Sequence, residues 1–330
     1  MATSPRTRAY DDTAATLDDF YTSDAAMQAC LERARVAAQT DLPILILGES
    51  GAGKTILARA IHNSSRRGRG PFVSFNAAAL SDTLLDSQLF GHERGAFTGA
   101  HQRVKGKFEL SHQGTLFLDE IADLSPTAQS KILRAVEYGE FERLGSDTLQ
   151  RADVRVVSAT HLAINGAGEG RFRQDLFFRI SGFTLTLPAL RERPNDLPVL
   201  LAAEISRAGE RQGKTITGLD RSAADRLLAY AWPGNLRELS TVVHAAVALA
   251  TGDVIAEEHL MLGASVPASV APAPVKASPA RRTLRDAIAR HITQVLDDVG
   301  GNKRRAAREL GVSRATLDRK LKEIGKTASR

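Results

Sequence analysis

The sequence predicts an α/β fold: a parallel sheet with helices on both faces, followed by a smaller all-helical subdomain and, past a linker, a small all-α basic module. Three observations predict it. Up to Pro188, apolar runs of strand length alternate with helical stretches, the pattern of a sheet whose strands are joined by crossover helices. From Asp196 to about Leu262 the apolar spacing is helical throughout. Residues 263–282, GASVPASVAPAPVKASPARR, then show neither period and read as an extended, semi-rigid linker.

The expected organisation is a short tail over 1–22, an α/β body over 23–190, a helical lid over 191–262, the linker over 263–282 and the basic module over 283–330. The strands are expected in PILILG, FVSFN, TLFLDE, VRVVSAT and FTLTLP. Between the first strand and the helical ILARAIHNS stands GESGAGKT, Gly48 to Thr55. Glycines at this spacing let backbone N–H groups turn inward and cradle phosphates. Gly48, Glu49, Ser50, Gly51, Ala52 and Gly53 form the cradle, Lys54 reaches the terminal phosphates, and Thr55 offers a hydroxyl to Mg²⁺ at a helix N-terminus. The implied cofactors are ATP and Mg²⁺.

TLFLDE ends a buried strand on adjacent carboxylates, Asp119 and Glu120, at the strand edge where parallel sheets bind ligands. Asp119 suits a Mg²⁺ ligand, and Glu120 a group that orients and polarises an attacking water. Charge building on a transferred phosphoryl group needs further cations. Arg173 and Arg179, six apart and placed roughly on one helix face, are candidates; their spacing fits equally well surface arginines paired with Glu169 or Asp175.

FGHERGAFTGAHQ, Phe90 to Gln102, sets Phe97 and Thr98 between glycines. A buried strand would not favour the glycines, and a plain solvent loop would not favour the phenylalanine. The terminal segment supplies a different chemistry. Residues 283–330 hold 12 Lys or Arg against 6 Asp or Glu, an excess equal to the whole chain's net charge of +6, as suits an acidic polymer such as DNA. Leu284, Ile288, Ile292, Val295 and Val299 form a helical stripe, opened by Thr283 with Asp286 as a capping box, that suits pairing of two chains. NKRRAAREL and SRATLDRKLKEI, capped by Asn302 and Ser313, then flank the turn GV in a helix-turn-helix pattern. Arg314, Thr316, Arg319 and Lys320 are expected to face bases or phosphates in the major groove, with Lys303, Arg304 and Arg308 beside the backbone.

The segments GESGAGKT, FGHERGAFTGA, GKFELSHQGTLFLDEI, FERLGS, FRQDLFFRI, LPALRERPNDLP, WPGNLREL and the terminal GGNKRRAARELGVSRATLDRKLKEIG together resemble the sigma-54-dependent transcriptional activators, the bacterial enhancer-binding AAA+ ATPases. The resemblance runs from about Ser23 to Arg330. It implies an AAA+ phosphate-loop NTPase with a helical lid and a Fis-type DNA-binding domain. Arg173 and Arg179 match arginine fingers that reach a neighbouring subunit's ATP, so a ring, a hexamer when active, is implied. Arg237 matches the lid's sensor arginine and Thr160 the sensor at the end of the fourth strand. Asn76 matches an asparagine that exchanges its contact with Glu120 as the γ-phosphate is lost.

In the same resemblance Gly95, Ala96, Phe97, Thr98, Gly99 and Ala100 tip a surface loop that touches sigma-54 RNA polymerase holoenzyme. Its glycines permit refolding, and an exposed Phe97 is tolerated because the partner covers it. The loop at Glu140 to Asp147 is expected to move with it. The Fis-type segment implies a dimer on a two-fold symmetric, upstream double-stranded DNA site. The chain departs from the family's common residues at Thr55 (Glu), Ala52 (Thr), Ala77 (Cys) and His161 (Asn), none of which removes a charge the chemistry needs.

The single cysteine, Cys30, excludes an intrachain disulfide framework and suits a reducing compartment. The N-terminus lacks a signal peptide's apolar run, and no stretch approaches the roughly 20 apolar residues of a membrane span, so a cytoplasmic location is expected. About 22 residues precede the ATPase, too few for a receiver domain, which makes a separate regulatory protein or control of expression the expected switch. The eight histidines show no ligand spacing, and no structural metal is expected.

Overall fold

The computed structural model describes residues 14–77, 81–162, 164, 172–263, 303 and 306. Two compact units divide at Gly263. In the first, α1 (Ala25–Ala38) leads into β1 (Ile44–Leu47), α2 (Lys54–Asn63) and β2 (Phe72–Asn76). Next come α3 (Asp82–Phe90), a hairpin of β3 (Gly91–His92) and β4 (Val104–Lys105), then α4 (Lys107–Leu110) and β5 (Thr115–Asp119). After α5 (Pro126–Tyr138), β6 (Glu140–Glu142) and β7 (Leu149–Arg151) form a second antiparallel hairpin. β8 (Arg155–Thr160), α6 (Gln174–Ile180) and β9 (Phe183–Thr186) complete the body.

The expected strands become a five-stranded sheet in the order β2-β5-β8-β1-β9, parallel throughout. Side-chain alternation explains its two cores. Ile44, Ile46, Phe117, Val157 and Leu185 join Leu31, Leu57 and Ile61 of α1 and α2 on one face. Leu45, Leu116, Leu118 and Val156 join residues of α3, α5 and α6 on the other. Arg155, buried on β8, donates from Nη2 to the Ala37 carbonyl (2.6 Å) and from Nη1 to that of Ala38 (3.4 Å), satisfying the end of α1.

The lid comprises α7 (Leu197–Gln212), β10 (Gly218–Leu219), α8 (Arg221–Ala229), α9 (Asn235–Leu249) and β11 (Val254–Ile255). Its core gathers Leu201, Ile205, Leu227, Trp232, Leu239, Val243 and Ile255. The expectation of helix throughout needs one correction: β10 and β11 pair in parallel, each too short to show a strand period. Lys214 ends α9, donating from Nζ to the carbonyls of Val247, Ala248 and Ala250.

In the second unit Lys303 is helical and exposed, and Ala306 helical and buried. Arg304, Arg308, Ser313, Arg314, Thr316, Arg319, Lys320, the apolar stripe from Leu284 to Val299 and the linker past Gly263 lie outside the described residues.

Candidate nucleotide site and surface loop

The turn between β1 and α2 reverses with positive φ at Gly51 (76°) and Gly53 (106°). Lys54, 6% exposed, folds back over it, donating from Nζ to the carbonyls of Gly48 (2.9 Å) and Glu49 (3.2 Å). Its Nζ lies 3.7 Å from Glu120 Oε1. Ser50–Ile56, Asp119 and Glu120 line a cavity of about 340 Å³ together with lid residues that include Leu236 and Arg237. Phe20 and Leu200 add apolar surface to the lining, as suits a ligand with a flat aromatic end.

The lid holds the turn directly. Arg237 Nη1 donates to Ser50 Oγ (2.9 Å), and the Leu236 N–H to the Gly51 carbonyl (3.0 Å). Asn235, buried and with φ 52°, donates to the Ser50 carbonyl and to Glu49 Oε2, both at 3.1 Å. Arg191 grips the same Glu49 carboxylate at 2.7 and 2.5 Å, and this bond is the main cause that lowers the Glu49 pKa to about 2. A Cβ at residue 51 would stand 2.3 Å from the Gly234 carbonyl oxygen, so the lid's approach requires glycine there.

Asp119 ends β5 in register with Asn76 at the end of β2. Burial, and then the neighbouring negative charge of Glu120, raise the Asp119 pKa. Burial pushes Glu120 the same way, but a hydrogen bond from His161 and the charge of Lys54 outweigh it, and its pKa is lowered. The two carboxyls are therefore set apart in acidity. Two adjacent carboxyls on one cavity wall are a place where a cation would be stabilised. With the Thr55 hydroxyl on the same cavity wall, the donors are the hard oxygens that Mg²⁺ prefers.

Thr160 is placed beside Gly48, whose N–H donates to its carbonyl at 3.3 Å. Its hydroxyl, fully buried, accepts the Leu162 N–H at 3.1 Å and is not part of the cavity wall.

Gly95 to Ala100 tip the loop between β3 and β4. Bonds from the Gly95 N–H to the Ala100 carbonyl (2.9 Å) and from the Ala100 N–H to that of Phe97 (3.0 Å) close the tip. Gly95 and Gly99 have φ 83° and 105°. Thr98 is exposed, as expected, but Phe97 is half-buried. Its ring meets His92 edge-on at 5.0 Å between centroids, because the short hairpin turns it back onto its own stem. The β6–β7 loop is joined to that stem: the Leu144 N–H donates to the Gly91 carbonyl and the Glu93 N–H to that of Leu144, both at 3.0 Å. Arg143, 5% exposed in its side chain, spans Glu93 (3.0 Å) and Glu109 (2.7 Å).

The sigma-54 interaction domain profile matches residues 20–186, an AAA+ ATPase lid domain profile 191–272, and that of the Fis-family bacterial regulatory proteins 283–323. The chain belongs to the sigma-54-dependent enhancer-binding activators. It is 46% identical over 301 residues to the transcriptional regulatory protein ZraR of Klebsiella oxytoca, covering 90% of this chain and 67% of that protein. To the regulatory protein AtoC of Escherichia coli it is 40% identical over 308 residues, covering 92% and 67%. Crystallised NtrX of Brucella abortus, in complex with ADP, superposes with TM-score 0.66 at 34% identity, covering 93% of this chain and 69% of that one. The activator thus spans about two thirds of the length of these relatives, and its body is an AAA+ ATPase.

In this activator, neither Arg173 nor Arg179 lines its own chain's cavity. Arg173 is the N-cap of α6, so the expectation of one shared helix face is corrected: only Arg179 rides on the helix. Arg173 pairs with Asp175 at 2.7 Å and donates to Ser130 Oγ at 2.9 Å. Arg179 Nη2 donates to the Glu137 carbonyl at 2.9 Å. Both are exposed. No group of His, Cys, Asp or Glu suited to a structural metal occurs among the described residues, and none of their helices is long and apolar enough to cross a membrane.

Three residues at the activator's site were not legible as such: Arg191, Asn235 and His161. Arg191 and Asn235 meet on the Glu49 carboxylate, and WPGNL directly before Arg237 was the available signal for Asn235. His161 drew notice as a departure from the common asparagine, without a role.

Proposed function

We propose that the protein is an ATP-driven remodeller that binds DNA upstream of sigma-54 promoters and, as a ring, converts sigma-54 RNA polymerase from the closed to the open promoter complex. The observation that carries this reading is the meeting, in one cavity, of the phosphate turn, the Asp119–Glu120 pair and the lid's Arg237, on a body that also bears the Gly95–Ala100 loop. NtrX, crystallised in complex with ATP and 33% identical, supports ATP as the ligand.

In this scheme the N–H groups of the turn and Lys54 bind the β- and γ-phosphates, and Arg237 reports them to the lid. Thr55 and Asp119 hold Mg²⁺, which when bound neutralises charge on the phosphate oxygens. Glu120 orients the attacking water and takes its proton while the γ-phosphoryl group leaves ADP. Arg173 and Arg179 leave their resting partners and enter the neighbouring subunit's site, where they stabilise the charge of the transition state. A closed ring, in this reading a hexamer, has every seam completed in this way. Asn76, at the sheet edge next to Asp119, exchanges contacts with Glu120, and Thr160 senses the phosphate from the end of β8, beside β1.

The work is delivered by Phe97 and Thr98. Glu93 and Leu144 bind the two surface loops to one stem, so a displacement of either is passed to both, and Phe97 leaves His92 to meet sigma-54. The basic module reads double-stranded DNA as a dimer, with Arg314, Thr316, Arg319 and Lys320 on bases or phosphates, Lys303, Arg304 and Arg308 beside the backbone, and Ser313 at the DNA-binding start of the second helix. A cytoplasmic location and a separate regulatory protein complete the scheme. The direct test is capture of sigma-54 by the purified protein with a transition-state analogue of ATP. Capture that requires the analogue is expected; a sigma-54 that never binds contradicts the reading.

A further inference from the structure

The catalytic carboxylate assigned above has two oxygens, and they are treated differently. Glu120 directly follows β5 in the left-handed region, φ 52° and ψ 48°, a backbone state unfavourable for a residue with a side chain. One oxygen, Oε1, lies on the Lys54 side at 3.7 Å. The other, Oε2, accepts from both donors of a single residue: the ring Nδ1 of His161 at 2.7 Å and its backbone N–H at 3.3 Å. His161 directly follows β8, the strand that pairs with β5 in parallel, so the sheet itself brings the two side chains together.

A glutamate side chain on a sheet edge has several rotamers, and a base able to rotate is poorly aimed at a water molecule. Two donors on one oxygen remove that freedom. They also leave Oε1 as the oxygen directed to the cavity, which Glu120 lines while His161 does not.

From this we infer that His161 is the positioning residue of Glu120: it takes Oε2 out of play and holds Oε1 toward the attacking water. The inference rests on the ATPase reading of the site. It also gives a physical account of the departure at position 161: an asparagine amide carries an N–H donor and can make a bond of the same kind.

The test compares His161→Ala and His161→Asn with the wild-type chain in steady-state ATP hydrolysis and thermal melting. His161→Ala should lower kcat by about 10- to 100-fold and change KM for ATP by less than about threefold, since no phosphate contact is lost. Because the His161 side chain is 42% exposed, its melting temperature should move by less than about 2 °C. His161→Asn should recover kcat to within about threefold, the donor being restored. A wild-type rate in His161→Ala overturns the inference, as does a loss that comes with a drop in melting temperature or is not rescued by asparagine. An independent readout is the long-range ¹H–¹⁵N spectrum of the imidazoles. The His161 ring should carry its proton on Nδ1, and its signals should move in Glu120→Gln; an Nε2-protonated ring indifferent to that change overturns the contact. A wild-type chain that hydrolyses no ATP contradicts the functional reading instead, and the spectrum still decides the contact.

Discussion

At the scale of single residues, the site depends on two adjacent carboxyls that burial alone would push in the same direction. The His161 bond and the charge of Lys54 keep Glu120 acidic while Asp119 is raised, which leaves an ionised base beside a carboxyl that gains from a cation. Glu120→Gln keeps the shape and one acceptor oxygen but removes the base. It should bind ATP within about threefold of the wild-type affinity and lose hydrolysis by about 10³-fold or more, checked by calorimetry beside phosphate release; equal turnover would remove Glu120 from its role. The phosphate turn and the carboxylate pair were legible because their chemistry is confined to short, contiguous strings following strands. His161 was not, because its partner lies 41 positions away and only the register of β5 with β8 brings the two together.

At the scale of elements, the phosphate turn and the surface loop each depend on a second element that crowds a glycine. Gly145 has φ 76°, and a Cβ there would stand 2.8 Å from the Cβ of Ala96. Gly145→Ala should therefore cost about 1–2 kcal/mol in backbone strain and dislodge the loop tip from the β6–β7 hairpin. ATP hydrolysis should stay near the wild-type rate while sigma-54 capture changes; capture unaltered in the same assay would uncouple the two loops.

The lid's hold on the phosphate turn has an acid limit. Glu49 has its pKa lowered from 4.5 to about 2 by Arg191 and Asn235. A depressed carboxyl contributes stability that is fully present above the ordinary pKa and is lost as pH falls through the folded one, here from pH 4.5 toward about 2. The pair is surface-exposed, so the effect is small. Arg191→Gln should show a weaker fall in melting temperature between about pH 5 and pH 3 than the wild type, and an identical fall would remove the bond from the account. The hairpins β3–β4 and β6–β7 escaped sequence reading because strands of two or three residues carry no period, and Arg143 escaped because its carboxylates come from two other segments.

At the scale of the whole molecule, Arg173 and Arg179 do not line their own chain's cavity and are exposed, held by Asp175 and the Glu137 carbonyl; in the proposed ring they would complete a neighbour's site. Arg173→Ala should lose about 10³-fold in hydrolysis. Mixing it with Lys54→Ala chains should restore part of the activity, since an intact cavity then meets an intact finger at some seams; no recovery at any ratio would make the arginines act within one chain. The succession of sheet body, lid and basic module along the chain was legible from periodicity and composition, whereas the meeting of lid and phosphate turn was not, because Asn235 and Glu49 are 186 positions apart.

The central claim is that ATP hydrolysis moves the Phe97–Thr98 tip and that this movement opens the promoter. It is tested most directly by permanganate footprinting of a sigma-54 promoter with Thr98→Ala, alongside its ATPase rate. The account predicts hydrolysis within about twofold of wild type and no melted DNA. Promoter melting by Thr98→Ala at the wild-type level would contradict it.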